Sequence, residues 1–213
     1  MGFSLRPWLL PVLMLSFASI TASQTPPAHK PAPLKRYCQP DGGFCFKYPA
    51  SWAMLGEVFG GNGVVIAPPQ KQERALWDTI TLARIVLPPE GDEEPAGLDG
   101  VIAQATASLR EAGQTFETLQ RQQRTVDHKP AQMLKVRYQE KPTGHDWIEK
   151  MVFIEGPDNE IYSVALKCSP QDLARLEPVL AGVLLSWALP EPEVPDDTAA
   201  KPPAPPAKAT PSH

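Results

Sequence analysis

The segment GHDWIE, residues 144–149, holds the side chains of this chain that are best suited to acid–base or metal chemistry. His145, Asp146 and Glu149 supply an imidazole and two carboxylates, which are the groups that general acid–base catalysis and metal binding use. A hydrolase or a metal-dependent enzyme is therefore one interpretation. The preceding KPTG is made of turn residues, which indicates a hydrated loop, and no G-x-S-x-G nucleophile motif occurs. We therefore prefer a non-catalytic protein without a cofactor.

The three cysteines can form one disulfide and leave one free thiol. A hairpin with its loop at residues 40–43 would place Cys38 opposite Cys45, within the distance that a disulfide tolerates. The alternative is a link between Cys38 and Cys168, because a longer closed loop would stabilise the fold more. The C-x6-C spacing without neighbouring histidines does not fit a zinc site, so no metal is predicted. Cys168 alternates with apolar residues of a predicted strand, which indicates a buried side chain: Tyr162, Val164 and Leu166.

A basic, glutamine-rich strip is the candidate binding surface. Its residues come from two predicted strands and the start of a third: Arg121, Arg124, Lys135, Arg137 and Trp147. If these strands pair at the sheet edge, the strip could dock an anionic cell-wall polymer or an acidic partner. The competing interpretation is an ordinary hydrated face of a hairpin.

Both ends of the chain differ in composition from its middle. Arg6 precedes an apolar run over residues 8–20 that is shorter than the roughly 20 residues a membrane-spanning helix needs. We interpret residues 1–23 as a signal peptide cleaved near Ala22 or Ser23, which predicts a secreted or periplasmic protein that does not span the membrane. Residues 24–34 form a proline-rich linker, and residues 190–213 form a disordered tail rich in proline and alanine that acts as a spacer.

The remaining residues, 35–189, have the size of one domain. Apolar residues at spacings of three and four predict a helix ending near Gly113 and a second helix up to Trp187. Pro178 fits the first turn of that second helix better than its middle. The segment WIEKMVFI is apolar on both sides, as in a central strand covered on both faces. The predicted class is α+β, with an antiparallel sheet between helices.

Three short motifs carry a resemblance to a known family. GGFCFKYPASW, GPDNEIYSVAL and VLAGVLLSW resemble the entry strand, the strand hairpin and the last helix of the PsbP-like fold family, which includes PsbP, DcrB, the Ran-binding Mog proteins and mycobacterial secreted lipoproteins. The resemblance implies an α-β-α sandwich. It also implies a role in binding or assembly, with no shared active site.

The net charge of the chain is −4, which gives no electrostatic reason to expect nucleic acid as a partner. Together with the predicted export and the family resemblance, this favours a non-catalytic binding or accessory protein of the cell envelope. Its expected partner is an envelope protein or a cell-wall component.

Overall fold

The computed structural model of the protein describes four stretches of the chain: residues 32–40, 43–69, 78–88 and 97–189. The predicted signal peptide, most of the predicted linker and the predicted tail lie outside the described residues. That division of the chain therefore stays a prediction. Neither helix in the described part is long and apolar enough to cross a membrane.

The described residues form nine strands and two α-helices. In chain order these are β1 (Leu34–Cys38), β2 (Cys45–Pro49), β3 (Ala53–Val58), β4 (Gly63–Ala67), β5 (Thr79–Val86), α1 (Gly97–Ala112), β6 (Gly113–Val126), β7 (Lys129–Glu140), β8 (Asp146–Glu155), β9 (Glu160–Cys168) and α2 (Leu173–Ser186). A single 3-10 turn, Phe59–Gly61, links β3 to β4.

Seven strands form one antiparallel sheet in the order β3-β4-β5-β9-β8-β7-β6, and β1 pairs with β2 in a separate hairpin. Strand β8 lies inside the large sheet and is apolar on both sides. Trp147, Met151 and Phe153 belong to one core cluster, whereas Val152 and Ile154 belong to the other. The alternation of a strand sends successive side chains to opposite faces, so β8 is covered on both sides as its sequence predicted.

Each face of the sheet has its own helix. Helix α1 buries Val101 and Ile102 in the cluster that contains Trp147. Helix α2 and the β1–β2 hairpin cover the other face through a larger set of apolar residues, among them Phe44, Phe46, Leu176, Leu180 and Val183. The predicted α+β architecture, a sheet between helices, is confirmed.

A disulfide closes the β1–β2 hairpin. Cys38 lies opposite Cys45 in the strand register, with the two Cα atoms 4.1 Å apart, and the two sulfurs are bonded. Cys168 is a free thiol with 0% exposure, so the short pairing is confirmed over the alternative with Cys168. The backbone of Cys45 also exchanges two hydrogen bonds with Ala188, of 2.8 and 3.0 Å. The hairpin is therefore tied to the segment that follows α2.

Helix α2 differs from its prediction at one residue. Pro178 lies inside a continuous helix, as its sixth residue, and not in the first turn. A proline there removes one backbone hydrogen bond and costs about 3 kcal/mol. Leu176, Leu180 and Val183 of the same helix are almost fully buried, and each such burial contributes about 1.5–3 kcal/mol. Their burial outweighs the cost of the proline.

Strand β3 was not predicted from the sequence. It is the edge strand of the large sheet, its residues are mostly exposed, and its pairing with β4 shifts register between Met54 and Gly56. An exposed strand with a bulge has no apolar alternation. Strand β3 forms because its backbone pairs with β4. The pattern of its residues therefore does not predict it.

Candidate functional site

A cleft of about 370 Å³ lies between α1 and one face of the sheet. Helix α1 packs mainly over β6, β7 and β8, so the adjoining parts of β5 and β9 lie beside the helix. Four of the side chains that β5 and β9 place there are small: Thr79, Thr81, Ser163 and Ala165. Because these side chains are short, they leave space between helix and sheet that larger ones would fill.

The remaining walls of the cleft are mostly apolar. Met151 and Phe153 of β8 and Ile85 of β5 contribute to the sheet side. Helix α1 contributes a row of residues three and four positions apart, which lie on one helix face: Val101, Gln104, Ala105 and Ser108. The cleft thus has an apolar interior with a few hydroxyl and amide groups.

One end of the cleft carries opposite charges. Glu149 of β8 and Lys167 of β9 lie directly opposite each other in the strand register, and both line the cleft. The Tyr138 hydroxyl donates a hydrogen bond of 3.2 Å to Glu149 Oε2. Burial raises the pKa of Glu149, and the nearby Lys167 and the Tyr138 hydrogen bond only partly oppose that rise. A partly buried carboxyl group therefore lies at this end of the cleft, in surroundings that disfavour its charged form.

The ammonium group of Lys167 contacts residues that do not line the cleft. Its Nζ donates a hydrogen bond of 3.0 Å to Glu140 Oε1 and lies 4.6 Å from the Trp147 ring centroid and 5.8 Å from that of Tyr138. Both rings are within range of a cation–π interaction. The hydrogen bond from Lys167 also holds the pKa of Glu140 below its usual value.

Phe59 stands at the rim of the cleft in an unusual conformation. It lines the cleft, its side chain is 67% exposed, and its φ is 55°. A bulky residue with positive φ is strained by roughly 1–3 kcal/mol. Its ring lies against Gly63, where an added Cβ would come within 3.1 Å of Phe59 Cδ2. An exposed aromatic ring is thus held at the rim at an energetic cost.

The structure does not bring His145, Asp146 and Glu149 together. Asp146 extends to the face opposite Glu149 and pairs with Arg137, whose hydrogen bond lowers the pKa of Asp146. The His145 ring packs 5.8 Å from the Trp147 ring centroid. No group of three histidine, cysteine or acidic residues in the described stretches is arranged to hold a metal ion.

The residues of the predicted basic strip lie on two faces. Arg121 belongs to the α1 side, where it donates a 2.6 Å hydrogen bond to Asp99, and Trp147 is buried on that side with 3% exposure. Arg124 pairs in register with Ala131, which belongs to the α2 side. Lys135 and Arg137 alternate with Val136 of the α1 side and so also face the α2 side. The structure does not form one continuous strip, and a binding role for these residues stays a prediction.

Sequence reasoning missed Phe59, Tyr138 and Lys167. For Lys167 a signal existed: it shares strand parity with Ser163 and Ala165, the small residues of β9. A lysine following small residues on one side of a strand that is apolar on the other side indicates a face not packed by large side chains. For Phe59 no pattern in the sequence reveals the positive φ.

Comparisons with known proteins concern the fold. No protein-family model matches the chain and no curated protein matches its sequence significantly. The solution structure of cyanobacterial PsbP (CyanoP) from Synechocystis sp. PCC 6803 matches with a TM-score of 0.55 at 14% identity, covering 79% of this chain and 99% of that one. LpqN of Mycobacterium tuberculosis, described as involved in cell envelope biogenesis, matches with a TM-score of 0.50 at 14% identity, covering 76% and 88%. At such identities the likeness shows the fold alone, and it confirms the fold that the sequence motifs predicted.

Proposed function

We propose that this chain, a protein of PsbP-like fold, is an exported binding or accessory protein of the cell envelope that takes an apolar group of its ligand into the cleft beside α1. The cleft carries this proposal. Its volume of about 370 Å³ falls in the range of small-molecule sites, which are mostly apolar with a few polar groups. The walls of this cleft have that composition.

Export is supported by the disulfide of the β1–β2 hairpin. Disulfides persist in oxidising compartments and are rare in the cytosol, and the bond between Cys38 and Cys45 closes a hairpin that packs against α2. The predicted signal peptide agrees with this location. LpqN, which shares the fold, is involved in cell envelope biogenesis, and the proposal takes the same compartment for this chain.

The proposed partner is an envelope protein or a cell-wall component, and the proposal requires no cofactor. Nucleic acid is disfavoured by the net charge of −4. It is also disfavoured because basic side chains of the sheet pair with acidic ones: Arg121 with Asp99, Arg137 with Asp146, and Lys150 with Glu177.

The enzyme alternative, a hydrolase or metal-dependent enzyme using His145, Asp146 and Glu149, has less support. Acid–base catalysis needs its groups within hydrogen-bond reach of one reacting centre. Asp146 and Glu149 leave β8 on opposite faces of the sheet, because their positions differ by an odd number of residues. The two carboxylates therefore cannot act on one substrate within this sheet.

The proposal is tested by crosslinking capture from envelope extract with the exported protein and two variants. Thr81→Trp places a large ring on the floor of the cleft, in register between Val65 and Ala165. Thr118→Trp adds the same ring at an exposed position of β6, at the far edge of the sheet. We expect the exported protein and Thr118→Trp to capture the same molecules and Thr81→Trp to lose them. Equal capture by both variants would show that the cleft is not the binding site.

A further inference from the structure

We infer that the ligand of the cleft is an amphiphile with an organic ammonium group, and that this cation binds Glu149 while the apolar part lies along the floor. The inference rests on the proposed function and adds the chemical class of the ligand. It follows from the hydrogen bonds and the charges around Glu149 and Lys167 at one end of the cleft.

The carboxylate of Glu149 has unused capacity to accept hydrogen bonds. An ionised carboxylate offers about four lone-pair sites, and within the described residues its side chain accepts one hydrogen bond, from Tyr138. Glu149 is only partly exposed to solvent, so its charged form is less well hydrated than that of a free carboxylate. A ligand cation that reached Glu149 would add hydrogen-bond donors and positive charge to this carboxylate.

Lys167 supplies only part of the positive charge: it is near enough to favour the ionised form of Glu149, but its hydrogen bond goes to Glu140. Its ammonium is engaged by Glu140 and by the rings of Trp147 and Tyr138. Glu149 in the cleft and Glu140 on the other side of Lys167 therefore share one ammonium group, which leaves a net charge of about −1 when both are ionised. Charge complementarity favours a cation over an anion in the remaining space.

The apolar part of the ligand has a matching surface next to Glu149. Met151 and Phe153 follow Glu149 on the same side of β8, and Ala165 lies in register with Met151. Val101 of α1 closes this strip from the other side. A cation at Glu149 thus leaves an alkyl chain in contact with apolar side chains along the cleft.

The experiment compares three probes with one tail and different head groups: hexylamine, 1-hexanol and hexanoate at neutral pH. Binding to the ¹⁵N-labelled protein is followed by NMR titration, which gives both the affinity and the residues affected. We expect hexylamine to bind at least about tenfold more tightly than 1-hexanol, since both head groups can donate a hydrogen bond to the carboxylate but only the ammonium adds Coulombic attraction. Hexanoate should bind most weakly, and the shifts should surround Glu149 and Ala165.

Glu149→Gln keeps the shape of the side chain and its contact with Tyr138, so the fold should be retained. It should reduce the affinity for hexylamine much more than the affinity for 1-hexanol, and so remove most of the preference for hexylamine. Glu117→Gln, at an exposed position of β6, makes the same change in net charge away from the cleft and serves as the matched control. It should leave the preference for hexylamine intact.

The outcomes separate this inference from the proposed function. Equal affinity for hexylamine and 1-hexanol at the cleft would overturn the inference and leave the cleft as a binding site. Loss of affinity for all three probes in Glu149→Gln would assign this residue a structural role and would also overturn the inference. If no probe shifts the cleft residues of the unsubstituted protein, the cleft does not take apolar groups, and the proposed function fails with it.

Discussion

Phe59 has a strained backbone and an exposed aromatic ring. Substitutions can distinguish the effects of the backbone and of the ring. Phe59→Gly removes the cost of a bulky residue at a φ of 55°, because glycine adopts positive φ readily. It also removes the aromatic rim of the cleft. We expect the free energy of unfolding to change by less than about 1 kcal/mol, since relief of strain and the greater chain entropy of glycine oppose each other.

Hexylamine and 1-hexanol should both bind more weakly to Phe59→Gly, by about threefold to tenfold, because the variant loses one aromatic wall. Urea unfolding and the same NMR titration measure the two effects. Phe59→Leu keeps an apolar side chain and the strain, so it serves as the control that retains part of the affinity. A variant that loses stability but keeps its affinity would show that the ring serves the fold of the β3–β4 turn.

Ionisation of Glu149 should lower the free energy of unfolding as pH rises. Burial raises the pKa of Glu149 in the folded protein above its ordinary value, so the folded state holds this proton more tightly than the unfolded state. Its contribution to stability is therefore fully present below the ordinary glutamate pKa of about 4.3. That contribution is lost as pH rises through the raised pKa.

Glu149→Gln cannot ionise and should lack this loss, so its stability should decline less than that of the unsubstituted protein above about pH 4.3. Four other carboxyls act in the opposite sense, because ion pairs or hydrogen bonds lower their pKa values: Glu140, Asp146, Glu160 and Glu177. Their contributions disappear at lower pH in both proteins. Urea midpoints measured across this range should diverge; parallel profiles would contradict the assignment.

At the scale of the elements, the disulfide determines how firmly the β1–β2 hairpin is closed. The bond between Cys38 and Cys45 joins residues seven apart, and the chain-entropy relation gives about 2.5 kcal/mol for so short a loop. Replacing both cysteines with alanine should lower the free energy of unfolding by about that amount. Urea unfolding with and without a reductant measures it.

Cys168→Ala is the control for the disulfide, because it removes the free thiol and keeps the bond. Burial raises the pKa of Cys168 to about 12, so this thiol should resist alkylation in the folded protein. Reductant should therefore destabilise Cys168→Ala and leave the double alanine variant unaffected. If reductant changes neither protein, the bond contributes nothing to stability.

The elements that sequence predicted are those whose signal is local. Cys38 and Cys45 flank a turn short enough to make them opposite, and α1 repeats apolar residues every three or four positions. Strand β8 alternates two apolar sets. In each case a few residues close together in the sequence are enough to predict the feature. Strand β3 lacks such a pattern, because its pairing partner and not its side chains determine its conformation.

Predicting the cleft from the sequence would require knowing how residues far apart in the chain are brought together. Glu149 lies opposite Lys167 because of the length of the turn between β8 and β9, and a change of one residue would move Lys167 to the other face. The space itself arises from where α1 crosses the sheet. The hypothesis of a His145, Asp146 and Glu149 site treated residues near in sequence as near in space, which strand alternation prevents for Asp146 and Glu149.

At the scale of the whole molecule, the short segment that follows α2 packs against the core of the described residues. Trp187 is 3% exposed, and the backbone of Ala188 exchanges hydrogen bonds with Cys45. Leu189 packs against the same core. A chain that ends at Leu189, the predicted domain boundary, keeps all of these contacts, and the boundary itself stays a prediction.

Two truncations test this boundary. A chain ending at Leu189 should unfold at the same urea concentration as the full chain and should bind hexylamine equally well, since it keeps every contact just described. A chain ending at Ser186 loses the buried Trp187 and the Ala188 hydrogen bonds. Removing a buried tryptophan side chain typically costs about 3–5 kcal/mol, so this chain should unfold at a much lower urea concentration.

The chain ending at Leu189 also separates the domain from the tail in function. If the cleft is the binding site, this chain should capture the same envelope molecules as the full chain, and Thr81→Trp should abolish capture in both. Capture that needs residues 190–213 would instead place recognition in the proline-rich tail, where the PxxP spacing of KPPAPPAK suits an aromatic groove on a partner. The cleft would then have no part in partner binding.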